Sequence, residues 1–195
     1  MKHLRTVTFS GDAEINEAIA TLVLAFAADP VARWMYRTPD QYLRHIPRLF
    51  RALGAGSFEA GAAYRSADGA GVAIWFPPGV HGDNALVEAA IADGVIGDLQ
   101  GEIGELFEMT EHYRPSEPHW YLSLIGVEAV QRSKGYGAAL LAHALHQCDD
   151  EHRAAYLWSS NQQNTSIYQR HGFEVVTTIQ VGSSPPIFPM LRHSR

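Results

Sequence analysis

Apolar residues recur at helical spacing in two stretches of the first third of the chain. Ile15, Ile19, Leu22 and Phe26 fall on one face of a helix that Asp12 is placed to cap and that ends near Asp29-Pro30. From Pro39, the residues Tyr42, Leu43, Ile46, Leu49, Phe50 and Leu53 keep the same period, and Arg44, Arg48 and Arg51 take the opposite face as a solvated stripe. A short strand around residues 6–9 precedes both helices. Further on, residues 61–66 and 71–76 flank Asp68-Gly69, a dipeptide suited to tight turns, which predicts a hairpin stopped by Pro77-Pro78. Helical spacing returns from about 84 to 112, but Gly94, Gly97, Gly101 and Gly104 each weaken a helix, so this stretch breaks into two or more pieces.

The last 75 residues or so alternate regularly. An apolar strand over 120–127 runs through a glycine-containing turn into a helix with Leu140, Leu141, Ala144, Leu145 and Cys148 on one face. A strand (154–159), a helix (161–171), a strand (173–181) and a short strand (188–191) follow. This order, with no repeat, low-complexity tract or linker, predicts one α/β (α+β) domain on a mixed sheet.

Charge narrows the partners. The chain has 195 residues and 15 Lys and Arg against 21 Asp and Glu, a net charge of -6, which excludes the usual basic nucleic-acid-binding domain. The acids concentrate in Asp83, Glu88, Asp93, Asp98, Glu102, Glu105, Glu108 and Glu111, with no Lys or Arg between 82 and 111. That segment reads either as a solvated helical face or as an attractor for a cationic substrate. The apolar run 22–28 falls short of the roughly 20 residues that span a bilayer, and no leader cleavage site is evident, so a cytoplasmic protein with no membrane partner is expected. Cys148 is the lone cysteine and sits on an apolar stripe, as a buried structural thiol would. His143, His146, Cys148 and His152 are close in sequence, but Cys148 points away from the two helical histidines, so no metal site is expected. Neither a His-Glu-x-x-His nor a Gly-x-Ser-x-Gly pattern occurs.

The strand ending at Val127 and the loop Arg132-Ser133-Lys134-Gly135-Tyr136-Gly137-Ala138 carry the first chemical signal. A helix that opens on such a loop presents unpaired N–H groups and the positive end of its dipole, a seat for phosphate, and Arg132 and Lys134 add charge there. Leu140 stands where a dinucleotide fingerprint needs Gly or Ala, and no Gly-Lys-Ser/Thr of a P-loop exists. The second signal is Asn161, Asn164 and Tyr168, spaced to share a helical face, with Gly172 ending the helix before Phe173. Taken singly, Asn161 reads equally as an N-cap and Tyr168 as a core aromatic.

Together these motifs resemble the GCN5-related N-acetyltransferase (GNAT) superfamily. Ala25-Phe26-Ala27-Ala28-Asp29-Pro30, Val72-Ala73-Ile74-Trp75, His112-Tyr113-Arg114-Pro115 and Trp120-Tyr121-Leu122 are similar to the branch containing puromycin N-acetyltransferase. The resemblance implies a single domain over 1–195 with a mixed sheet of about six to seven strands flanked by helices. Its splayed central strands would form the acetyl-CoA cleft, with residues 1–118 mainly on the acceptor side and 119–195 forming the cofactor core. It implies an N-acetyltransferase that passes acetyl from acetyl-CoA to a primary amine of a small molecule, by direct attack in a ternary complex and without a metal. A homodimer is left open. The alternative is a non-catalytic acyl-CoA-binding sensor of the same fold.

On this resemblance the pyrophosphate rests on the N–H groups of Ser133, Lys134, Gly135, Tyr136, Gly137 and Ala138 beside Arg132. Gly126 suggests a bulge that frees backbone groups of Ile125 and Val127 for the pantetheine arm. The Val127 N–H is the expected donor to the thioester carbonyl, Asn161 and Asn164 position the cofactor, and Tyr168 is the expected general acid. Many relatives carry a glutamate on the strand before Asn161, but residues 154–159 include no acid. Glu128, His119 and Tyr121 are therefore the base candidates, unless a chain of waters suffices. Trp34, Tyr36, Trp75, Phe76, Tyr113 and Trp120 either line an apolar acceptor pocket or pack the core.

Overall fold

The computed structural model describes residues 6–9, 11–95 and 97–194. Over these the chain runs β1 (Thr6–Val7), α1 (Asp12–Ala25), α2 (Pro30–Met35), α3 (Pro39–Glu59), β2 (Ala63–Ser66), β3 (Gly71–Phe76), α4 (Asn84–Gly94), α5 (Gly97–His112), β4 (Trp120–Val127), α6 (Tyr136–Asp150), β5 (Ala155–Ser159), α7 (Gln162–Arg170), β6 (Glu174–Val175) and β7 (Phe188–Arg192). The strands form one seven-stranded sheet in the order β1-β2-β3-β4-β5-β7-β6. Neighbours are antiparallel except β4 and β5, which run parallel, so the sheet is mixed as expected.

Each face of the sheet has its own core. Leu22, Tyr42, Ile46, Phe50 and Ile103, from the helices that precede β4, close over Val72, Ile74 and Leu124. On the opposite face Leu140, Leu141 and Leu145 of α6 pack on Trp75, Trp120 and Leu157. Cys148 joins this second core with no exposed surface, and burial pushes its thiol up to about 12, which leaves it protonated and inert. No helix among the described residues is long and apolar enough to cross a membrane.

Several element ends differ from the sequence pattern, each for a local reason. Gly11 rather than Asp12 is the N-cap of α1; Asp12 and Glu14 lie in the first turn, where the helix dipole favours negative charge. Asp29-Pro30 does not end a helix but starts one. The Asp29 Oδ1 accepts the N–H groups of Val31 and Ala32 at 3.0 Å each, and Pro30 sits at the first helical position, where its missing N–H costs nothing. Thr38 and Gln41 close a capping box on α3, whose arginine stripe is exposed, with Arg48 also reaching Asp93 at 3.0 Å. Leu43, expected on the buried stripe, is 61% exposed. The strand expected over 173–181 shrinks to β6 and one bridge between Ile179 and Ile187, because Pro185, Pro186 and Pro189 bring no N–H to the ladder.

Candidate active site

Strand β4 keeps its partner β3 from Tyr121 to Val127 but loses β5 after three residues. Only Trp120, Tyr121 and Leu122 pair with Ala155, Tyr156 and Leu157. A bulge sits where the strands part: Ile74 faces Leu124 and Trp75 faces Leu122, leaving Ser123 as the extra residue. The bulge expected at Gly126 is therefore not there. Gly126 stays in register with Val72, and its lack of a side chain serves packing instead, since a Cβ would stand 2.7 Å from the Ala25 Cβ and 3.0 Å from Leu22. The Glu128 N–H bonds the Ala70 carbonyl at 2.9 Å, and by antiparallel alternation Gly126 and Leu124 also bond toward β3. The polar groups of Ile125 and Val127 then face the gap left by β5.

The gap continues into the start of α6. Gly135 is its N-cap, in the left-handed region at φ 90° and with no side-chain cap, and Ala139 is the first residue whose N–H bonds back, to Gly135 at 3.0 Å. Tyr136, Gly137 and Ala138 therefore point N–H groups out of the helix end. A cleft of about 740 Å³ lies before them. Its near wall holds Ile125, Gly126, Val127, Arg132, Ser133, Gly135, Tyr136, Gly137 and Ala138; its far wall holds Asn161, Asn164, Ile167 and Tyr168. Lys134 is not in the lining, and its Nζ donates to Gln131 at 2.9 Å. The Arg132 guanidinium donates to the carbonyls of Ala25 at 2.7 Å and Val127 at 3.4 Å, tying the end of α1 to the end of β4 at the cleft rim. The Tyr136 hydroxyl reaches Asp68 in the hairpin turn at 2.5 Å. Asn161 caps α7 through an Oδ1 bond from the Gln163 N–H at 2.9 Å.

A second, smaller cavity of about 90 Å³ opens where β4 and β5 part. Phe26, Trp34, Phe50, Phe107, Tyr121 and Trp158 give it an aromatic wall, and α5 adds Ile103 and Leu106 while its carboxylates face outward. Of the six aromatics expected around an acceptor, Trp34 alone lines it; Tyr36, Trp75, Phe76 and Trp120 are buried core, and Tyr113 packs against that core. Phe26, Asp29, Ile125, Asn164 and Tyr168 line both cavities and so mark their junction.

Tyr168 is 7% exposed, and burial together with the Asp29 charge raises its phenol well above the ordinary value. Asp29 is the sole carboxylate lining either cavity among the described residues. Burial raises its pKa, against the opposing pull of the Ser160 hydroxyl, which donates to Oδ2, and of the two capping N–H groups. Neither His119 nor Glu128 lines a cavity; the His119 Nδ1 pairs with the Glu117 carbonyl at 2.8 Å. Tyr121 lines the smaller cavity, but its hydroxyl accepts from the Trp158 Nε1 at 3.1 Å and burial raises its pKa. Sequence reasoning missed Asp29 and Ser160 as cleft residues; an Asp directly before Pro was the one available signal, as a helix cap. No group of three His, Cys, Asp or Glu side chains suited to a metal occurs among the described residues.

Comparison with known proteins agrees with this geometry. Residues 84–173 match the model of the acetyltransferase (GNAT) family, a span that includes β4, the α6 loop and α7. An uncharacterized N-acetyltransferase of Schizosaccharomyces pombe is 26% identical, over 82% of this chain and 70% of its own. A Corynebacterium glutamicum structure described as histone acetyltransferase HPA2 and related acetyltransferase superposes with a TM-score of 0.73 at 23% identity, covering 98% of this chain and 97% of that one. Arylalkylamine N-acetyltransferase 2 of Aedes aegypti gives 0.68 at 14% identity over the full length of both. The family match, the motif residues and the parted strands all fall on one cleft, and over residues 84–173 the chain is similar to the acetyltransferases of the GNAT family.

Proposed function

We propose that the protein is an acetyl-CoA-dependent N-acetyltransferase acting on a primary amine of a small molecule, by direct attack in a ternary complex. The observation that carries this reading is the parting of β4 from β5 beside an uncapped helix start, with Tyr168 at the point where the larger cleft meets an apolar cavity. Acetyl-CoA supplies the activated acetyl group. The chain's own parts suit it: the N–H groups of Tyr136, Gly137 and Ala138, which have no partner inside the helix, answer a pyrophosphate. The backbone of Ile125 offers the pantetheine amides the ladder that β5 has left, while the Val127 carbonyl accepts from Arg132 and its N–H stands ready for the charge that grows on the thioester oxygen. Tyr168, held protonated, donates to the departing sulfur. Asn161 and Asn164 flank the cofactor on the far wall. In this division residues 119–195 carry most of the cofactor side and residues 1–118 most of the acceptor side, with Ala25, Phe26 and Asp29 crossing over. The reading keeps the puromycin-acetyltransferase-like branch and a cytoplasmic site, where acetyl-CoA is at hand.

A thermal melt with and without excess acetyl-CoA tests it. Ligand at about 100 times its Kd adds about 2.7 kcal/mol, a rise of roughly 5–10 °C for a chain of this length. Such a shift followed by amine-dependent CoA release is the expected result. A shift with no release from any amine leaves the non-catalytic acyl-CoA-binding module, and no shift at millimolar acetyl-CoA removes both.

A further inference from the structure

The junction of the two cavities combines features that the cofactor does not explain. The smaller cavity is walled mainly by aromatic and aliphatic side chains from α2, α3, α5, β4 and β5; the hydroxyls of Thr110, Ser123 and Ser159 in its lining donate to the carbonyls of Phe107, Leu53 and Asn161, and it holds one carboxylate, Asp29, where it joins the larger cleft. An apolar cavity of roughly 150 Å³ accepts a benzene-sized guest, so about 90 Å³ takes a short alkyl chain or part of a single ring, with the rest of the guest and its polar end at the mouth. A second charge on the guest would be left unpaired among Ile103, Leu106, Phe50 and Phe107, which is unfavourable. Asp29 is fixed from both sides: Oδ1 takes the Val31 and Ala32 N–H groups, and Oδ2 takes the Ser160 hydroxyl from the segment just after β5. Each oxygen accepts about two hydrogen bonds, so Oδ2 keeps a lone pair for one more donor.

We infer that the acceptor is a compact, apolar primary monoamine whose body fills this cavity and whose nitrogen is received by Asp29, which takes the place of the missing strand glutamate as proton acceptor. This rests on the acetyltransferase reading above. As the nitrogen lone pair forms the N–C bond, the Asp29 carboxylate takes the proton that nitrogen loses. The C–S bond breaks with its electron pair going to sulfur, and the Tyr168 hydroxyl protonates that sulfur. The proton on Asp29 then returns to Tyr168 through solvent, which closes the cycle. Ser160 is a positioning residue, because its hydroxyl is given to the Asp29 carboxylate. The ionisable groups that feel the Asp29 charge are the phenols of Tyr42 on α3 and Tyr168 on α7, both raised and therefore neutral in the working range, and Arg132 and Arg170 stand in the larger cleft.

The test measures CoA release with pentylamine, benzylamine and 1,5-diaminopentane on the full chain, alongside the acetyl-CoA melt. The expected result is a kcat/KM for the two monoamines at least about tenfold above the diamine. Asp29→Asn keeps the cap on α2 and should keep the acetyl-CoA melt shift while kcat/KM falls roughly 10²- to 10⁴-fold. Ser160→Ala removes a hydrogen bond that favours the ionised carboxylate, so the acid limb of the kcat/KM profile should move to higher pH, an effect that a purely structural serine would not produce. Asp29→Asn within threefold of the parent, an unmoved acid limb in Ser160→Ala, or a preference for the diamine overturns the inference while the acetyltransferase reading stands. Absence of an acetyl-CoA melt shift in the unaltered protein overturns that reading first.

Discussion

Tyr168 has the surroundings that a proton donor to a thiolate needs. It is buried, it lines both cavities, and the Asp29 charge adds to desolvation in raising its phenol, so it stays protonated throughout the neutral range. Removing the hydroxyl while keeping the ring isolates that role. Tyr168→Phe should lower kcat roughly 100-fold or more with the acetyl-CoA melt shift intact, since the ring packed on Phe173 is preserved. An unchanged turnover would remove Tyr168 from the mechanism. Tyr168 was visible in the sequence through its spacing from Asn161 and Asn164, which is a local, helical property. Asp29 and Ser160 were not, because their contact joins residues 131 apart in the chain and no periodicity encodes it.

At the scale of elements, the glycine at 126 decides how close a helix can come to the cleft. The place of Ala25 and Leu22 against it brings the end of α1 onto β4, where Arg132 ties the Ala25 carbonyl to the rim. Gly126→Ala puts a methyl 2.7 Å from the Ala25 Cβ, a contact with no flexible end to move aside, so helix and strand must separate. We expect a loss of about 1–3 kcal/mol, read as a melting temperature lower by several degrees, and a smaller shift on adding acetyl-CoA. Equal melting temperatures would show that α1 packs more loosely than this. The strand β4 and the helix α6 were legible because each is fixed by its own residues, an apolar run and a stripe of Leu140, Leu141 and Leu145. The bulge at Ser123 and the short α2 were not: the first depends on register with β3, and the second on an Asp-Pro pair that marks a helix start as readily as a stop.

For the molecule as a whole, the carboxylate that serves the reaction works against the fold. Burial raises the pKa of Asp29 despite three hydrogen bonds to it, so the folded protein holds this proton at a pH where the unfolded chain has lost it. Stability from this group is therefore lost as pH rises from the ordinary carboxylate value of 3.8 through the raised one, and above that the penalty is complete. Asp68, held low by Tyr136 and Ser66, and Glu102, held low by Ser183, act with the opposite sign, but they are common to any variant at position 29 and cancel in a difference. Asn caps a helix as well as Asp does and carries no charge. Asp29→Asn should then melt no lower than the parent near neutral pH, with a gap in its favour that opens between acid and neutral solution and stays constant beyond. Melting curves of both proteins across that range measure the gap directly. A variant that melts lower by the same amount at every pH would mean that Asp29 is held for its cap alone. The expected pattern, stability gained as turnover is lost, is that of a charge kept for chemistry at a cost to the fold.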